Sequence, residues 1–137
     1  GLLTLLTGRE NAQLLGVHAC QHAAQRFGAK AVGVELSPSV AKTAEENVKR
    51  QNLQNEVKVI QGDLMAVNLA PADVVTIYLE TSSNDLLRPN LEKSLRPGSR
   101  VISYEFPVPG WKPKHVEKIS AYNRTHQIYI YVMPPSK

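Results

Sequence analysis

The sequence predicts an α/β fold: a doubly wound, mostly parallel sheet that ends in an antiparallel hairpin. Three observations carry this. Short runs rich in Val, Ile, Ala and Leu alternate with stretches of helical periodicity, at the spacing of βαβ units. The clearest run, Ala31-Val32-Gly33-Val34-Glu35, is apolar up to its final acid, the pattern of a buried parallel strand whose end opens on a ligand crevice. The last stretch changes to two alternating segments, His115 to Tyr122 and Gln127 to Val132, joined by Asn123-Arg124-Thr125. The expected strand order is 3-2-1-4-5, with the hairpin beyond it.

Each element has its own local reason. Leu2 to Leu6 reads as the first strand and Thr7 to Asn11 as the turn after it. Val17, Cys20, Ala24 and Phe27 recur on one helical face, and Gly28 stands where a C-cap falls. After the strand ending at Glu35, Ser37 is placed to cap a helix with Pro38 at its first position, where a missing N–H costs nothing. Val40, Ala44 and Val48 form its expected inward stripe. Val57 to Gln61 is the third strand and Val74 to Leu79 the fourth. Ser82 to Asp85 offers N-caps for a second helix, with Leu87, Leu91 and Leu95 as its stripe. Pro89 predicts that this helix starts late or bends. Arg96-Pro97-Gly98 turns into a fifth strand, Val101 to Tyr104, and a Pro-rich loop runs from Pro107 to Pro113.

The chain has 137 residues, 42% of them hydrophobic and 20% charged, which fits one globular domain spanning 1–137 with a single core. No apolar run approaches the roughly 18 residues of a membrane span. The opening Gly1-Leu2-Leu3-Thr4 lacks an initiator Met and a basic-then-apolar leader, so a fragment or processed form is expected. A lone cysteine, Cys20, excludes an internal disulfide and suits a reducing, cytoplasmic setting. The net charge of +4 is spread along the chain, too diffuse to predict a nucleic-acid partner.

The chemistry gathers at the expected strand ends: Glu35, Asp63, Leu79-Glu80 and Glu105-Phe106. In nucleotide-binding α/β sheets an acid at Glu35's position accepts hydrogen bonds from ribose hydroxyls. The competing reading is a strand-end Glu that caps a helix or faces solvent. His18 and His22 share a helical face, but zinc needs three or four ligands and Cys20 points elsewhere, so a structural pair is the better reading. Cys20 has no visible partner base for a nucleophile's role. Tyr129 and Tyr131 serve one sheet face. Trp111, between Pro109-Gly110 and Lys112-Pro113, divides evenly between covering the core and touching a substrate.

Glu35 and Asp63, about one βαβ repeat apart, resemble the acid pair of class I S-adenosylmethionine-dependent methyltransferases, a Rossmann-like family. Gly33 to Pro38, Gln61 to Leu64 and Asp73 to Leu79 look like consecutive motifs of one branch, as do Leu87-Arg88-Pro89, Leu95 to Ser103 and Phe106 to Pro113. That branch is the small archaeal and bacterial group similar to the mitochondrial and archaeal protein lysine methyltransferases. The resemblance implies S-adenosylmethionine as cofactor, with Glu35 on the ribose, Asp63 on the adenine amino group, and Leu36 and Leu64 beside them. It implies a lysine-bearing protein as acceptor and no metal. Of the strand-four residues, Glu80 is expected to orient the amine and Tyr78 to line its channel, with the rings of Phe106 and Trp111 on the substrate side.

The front departs from the family pattern. An Asp-x-Gly-x-Gly-x-Gly-Arg loop should fall near Asn11 to His18, yet that window holds a single glycine, Gly16. Gln13, Leu15 and Val17 stand where glycines are expected, and their Cβ atoms would obstruct a ligand's approach to the backbone. The rival reading from another class is therefore a catalytically silent binding or assembly domain that has kept the fold and lost the cofactor loop. A dehydrogenase is weaker still, because it too needs a glycine-rich first turn.

Overall fold

The computed structural model describes residues 2–7, 29–121 and 123–137. Within them the strands are β1 (Leu2–Thr7), β2 (Lys30–Glu35), β3 (Val57–Gln61), β4 (Val74–Tyr78), β5 (Arg100–Tyr104), β6 (His115–Ala121) and β7 (Arg124–Val132). Two helices, α1 (Pro38–Arg50) and α2 (Thr81–Ser94), accompany them, and a short 3-10 turn spans Leu64–Ala66. The strands form one sheet in the order β3-β2-β1-β4-β5-β7-β6. The expected order and terminal hairpin are both present. β1 lies parallel between β2 and β4, pairing Thr7 with Glu35 on one side and with Tyr78 on the other. The C-terminal ends of β2 and β4 therefore sit level beside the same central strand.

α2 packs the β4–β5 side of the sheet. Leu87 and Leu91 are fully buried against Val75, Ile77 and Val101, with Tyr131 from β7 in the same cluster. Each such leucine contributes about 1.5–3 kcal/mol by leaving water. α2 starts at Thr81, without delay, and runs through Pro89 to Ser94. Its start follows from Glu80, whose extended backbone places its carbonyl to accept from Asn84 N–H. A smaller cluster of Ala31, Val48, Leu53 and Val57 seats α1 on β2 and β3.

Two local expectations are corrected. α1 buries Ala41, Ala44 and Val48, so Ala41 replaces Val40 at the head of the inward stripe. Ser37 occupies the N-cap position but its hydroxyl makes no capping bond; it pairs with the Ser39 hydroxyl instead. The Ser37 N–H is directed back to a carboxylate oxygen of Glu35, at 3.2 Å. The turn after β2 thus faces the strand's acid.

Candidate functional site

The first half of the site lies where β2 and β3 end. Parallel pairing sets Glu35 opposite Gln61, and Gly62 N–H donates to the Glu35 carbonyl at 3.0 Å. That bond holds the two strand exits together and brings the Asp63 turn beside the Leu36 turn. Gln61 ties them again, its side-chain amide donating to the Leu36 carbonyl. The Glu35 residue is only 5% exposed, although its neighbours are a turn and an open cleft. One of its carboxylate oxygens takes Ser37 N–H; the other, Oε2, has no partner among the described residues. Burial raises the Glu35 pKa, against the smaller opposing pull of the Ser37 and Leu36 amides. A buried carboxylate oxygen without a donor is costly in a resting protein and is what a ligand hydroxyl would satisfy.

Leu36, Asp63, Leu64, Met65, Leu79 and Glu80 line an open cleft of about 310 Å³. Asp63 is exposed, and its Oδ1 takes Met65 N–H at 2.9 Å, which fixes the carboxylate at the head of the Leu64–Ala66 turn. Leu36 shows 57% of its surface, an apolar face beside that carboxylate. Glu80 is exposed at the N-terminus of α2. Leu36, Asp63, Leu64 and Glu80 thus line one cleft, whereas Glu35, expected in the same crevice, lies buried at the adjoining strand end and is not among the described residues that line it.

Tyr78, Phe106 and Trp111 are not among the described residues that line this cleft. Tyr78 ends β4 on the sheet face opposite Ile77 and Leu79. There it stacks on Tyr104 of β5, with centroids 5.8 Å apart and planes 11° from parallel. Its hydroxyl donates to Glu105 Oε2 at 2.9 Å. Phe106 is half-buried, and its carbonyl accepts from the Asn84 side chain of α2. Trp111 is a core residue. It is 6% exposed, packs edge-on against Tyr131 at 5.3 Å, and donates its indole N–H to Glu92 of α2 at 2.7 Å. Of its two sequence readings, the geometry takes the structural one and leaves little of the ring for an acceptor to touch.

The Pro-rich loop is strapped by one stripe of α2. Asn84 donates to the Phe106 and Pro107 carbonyls, Arg88 to the Pro109 carbonyl, and Glu92 accepts from Trp111. Positions four apart on a helix share a face, so three successive turns grip successive points of the loop. Gly110 sits at φ +83, and a Cβ there would come within 2.5 Å of an Arg88 nitrogen.

The residue that sequence reasoning left without a role is Glu105. It lies just beyond the end of β5, as Glu80 lies two residues beyond the end of β4, which is the signal it offered. Its φ is +66, and Phe106 N–H returns to the Tyr104 carbonyl at 2.8 Å, so Glu105 is the centre of a classic γ-turn. Glu105 Oε1 accepts from Arg124 at 2.6 Å and also meets His126 Nδ1. Burial alone would raise this carboxyl's pKa, but the hydrogen bonds of His126 and Tyr78 and the charge of Arg124 prevail and lower it.

Comparison with known proteins decides the family. The model for the ANTKMT methyltransferase domain matches residues 16–115. The chain belongs to this family. Among curated proteins it is 39% identical over 108 residues to a protein-lysine N-methyltransferase of Saccharolobus islandicus, a match covering 79% of this chain and 67% of that one. The mouse adenine nucleotide translocase lysine N-methyltransferase is 32% identical, over 82% of this chain and 51% of its own length. The chain thus spans about half the length of that mammalian relative. Among solved structures, an RNA methyltransferase from Salinibacter ruber in complex with S-adenosyl-L-homocysteine superposes with a TM-score of 0.80 at 30% identity, covering 96% of this chain and 80% of that one. The exclusion of nucleic acid drawn from diffuse charge therefore gains no support from these relatives. Among the described residues, no helix is long and apolar enough to cross a membrane. The family match begins at residue 16, and the window from Asn11 to His18, like His22 and Cys20, lies outside the described residues.

Proposed function

We propose that the chain is an S-adenosylmethionine-dependent methyltransferase whose acceptor is a protein lysine. The observation that carries this reading is the buried Glu35 Oε2 at the end of β2, which has no partner among the described residues, on the turn that also presents Leu36 to the cleft. The residues present fit the nucleoside end of that cofactor. Glu35 offers an acceptor to a ribose hydroxyl, Leu36 an apolar face to a purine, and Asp63 its second carboxylate oxygen to an exocyclic amine. Bound there, the cofactor would supply an electrophilic methyl group, and the chain's residues would hold its nucleoside end and present a neutral amine toward it. The chain's share is to bind, to align and to keep water out, and alignment of this kind supplies most of the rate. Glu80, which lines the same cleft, is the carboxylate we assign to orienting an incoming amine. Phe106, half-buried beyond the end of β5, contributes the aromatic side of the acceptor's path. A cytoplasmic setting belongs to the same reading and rests on the single cysteine.

The test is calorimetric titration with S-adenosylmethionine, followed by transfer of labelled methyl to lysine-bearing proteins and, in parallel, to RNA. Both are run on the chain as it stands and on one carrying an Asp-x-Gly-x-Gly-x-Gly segment across Asn11 to Val17. Binding with label on lysine supports the proposal. Label on RNA alone would replace the acceptor, and no binding by either chain would leave the silent binding domain.

A further inference from the structure

We infer that β6 is a docking strand for an extended, acidic segment of the protein acceptor. That the guest belongs to an acceptor rests on the lysine methyltransferase reading above; the binding chemistry does not. β6 is the last strand of the sheet and pairs only with β7 among the described residues. From His115 to Ser120 every residue is exposed, Val116 at 39% and Ile119 at 37%. Alternation along the strand puts these two side chains on opposite faces, so neither face of β6 is turned to the core. The outer side of a last strand presents backbone N–H and C=O groups in the spacing that a further strand requires.

The charge along this edge selects the partner. Lys112, Lys114, Lys118, Arg124 and Lys137, set against Glu117 alone, carry the whole net charge of +4, and the chain before them is neutral overall. The excess of cations, diffuse when read along the sequence, is thus concentrated in the hairpin and its flanks. Arg124 is engaged by Glu105, Lys137 by Glu92, and Glu117 by His115. Lys112, Lys114 and Lys118 are exposed and have no ion pair among the described residues. Lysines on an edge also keep it from pairing with copies of itself. Here antiparallel self-pairing centred on Glu117 or Lys118 would set like charges opposite each other, which is unfavourable. An acidic strand meets the same lysines as attraction. Running antiparallel to β6, it would carry an acid opposite Lys118, an apolar residue opposite Val116, and further acids toward Lys114 and Lys112.

Topology then places the target lysine. β6 runs toward the same end of the sheet as the exits of β4 and β5: its last pair, Ala121 with Arg124, lies beyond the Tyr104–Ile128 pair that closes β5. An antiparallel guest therefore has its N-terminal end on the cleft side. Four strand spacings separate it from β4, about 19 Å, which about six extended residues span. The lysine that reaches Glu80 accordingly stands about six or more residues before the acidic run.

The probe is a labelled synthetic peptide: a lysine, a six-residue Gly/Ser spacer, then Glu-Thr-Val-Thr-Glu-Thr-Glu. It is titrated by fluorescence anisotropy at low salt, with thermal unfolding measured on every variant. Saturable binding that weakens with salt and slows amide hydrogen exchange in β6 is the expected result. The triple variant Lys112→Glu, Lys114→Glu, Lys118→Glu should lose at least about tenfold in Kd, and a peptide with lysines in place of its glutamates should recover binding to it. No binding, equal binding of a peptide with glutamines in place of its glutamates, or unchanged exchange in β6 would overturn the inference. So would tighter binding of an RNA oligonucleotide through the same lysines, or a dimer in sedimentation whose β6 is already protected without peptide. Methyl transfer is scored separately. Peptide binding without transfer to any acceptor upholds the docking strand and removes the methyltransferase reading; transfer to lysine-bearing proteins without peptide binding does the reverse.

Discussion

At the end of β2, Glu35 is buried and raised in pKa, with one oxygen lacking a partner among the described residues. At the end of β5, Glu105 is lowered in pKa and meets Tyr78, Arg124 and His126. The two acids hold similar places in the topology and have opposite surroundings. The difference is one of supply. Around Glu105 the hairpin brings donors in from β7, so the protein completes the carboxylate's shell itself. Around Glu35 the donors among the described residues are backbone amides of its own turn, and completion is left to a ligand. A buried acceptor kept short of donors marks where something binds; an acceptor already satisfied marks a group whose work is to hold another group still.

The largest expected effect breaks the cofactor half at its front. The chain as written should bind S-adenosylmethionine weakly if, as the family resemblance implies, Gln13, Leu15 and Val17 stand where glycines would let backbone amides reach the methionine end. Two missing amide contacts at about 1.4 kcal/mol each amount to about a hundredfold in affinity. Restoring the glycine segment across Asn11 to Val17 should recover that factor in a calorimetric titration. Tight binding by the unmodified chain would mean that another segment supplies the amides.

Next comes Glu35→Ala in a chain that binds cofactor. Loss of one buried, charged hydrogen bond should cost roughly 1.5–3 kcal/mol, or about ten- to a hundredfold in Kd. Glu105→Gln should leave the same Kd nearly unchanged, and the contrast between these two titrations is the sharpest test of the division of labour. Equal effects would merge the two halves into one site.

Much of this was legible locally. The β-branched runs ending at Glu35 and Tyr78 announce buried parallel strands, and sheet topology then carries their ends to one edge without further information. Glu105 was not legible, because its direction is set by a backbone reversal that no residue at that position advertises: Glu has no preference for positive φ. Trp111 was divided between two roles for a similar reason. Its burial depends on Glu92, nineteen residues earlier, presenting a carboxylate to the indole N–H. Ser37 misled in the other direction; a good N-cap residue makes no capping bond because its hydroxyl pairs with the Ser39 hydroxyl.

A smaller effect probes the acceptor half through its loop. Gly110→Ala places a side chain at φ +83 and a Cβ within 2.5 Å of the Arg88 nitrogen that holds the Pro109 carbonyl. The guanidinium can swing aside, so the backbone term dominates, about 1–2 kcal/mol of stability by denaturant unfolding. Cofactor affinity should not follow, since the loop straps to α2 and not to the β2–β3 turns.

The smallest effect is also the one that separates the two acids by sign. Glu35 has a raised pKa in the folded state, so folding favours its protonated form. Its favourable contribution is present below the ordinary carboxyl range and is lost as pH rises through the raised value. Glu105 has a lowered pKa, so its contribution is present above the ordinary range and is lost as pH falls through the lowered value. Melting curves from about pH 3 to about pH 8 should therefore diverge in opposite directions for the two neutral variants. Glu35→Gln should gain on wild type toward neutral pH, while Glu105→Gln should lose on wild type there and converge with it in acid. Ligand donors reaching Glu35 Oε2 would favour the carboxylate, so saturating cofactor should shrink or reverse the first divergence and leave the second alone. Two slopes of the same sign without ligand would show that burial does not govern Glu35, and with it would go the argument that this carboxylate waits for a partner.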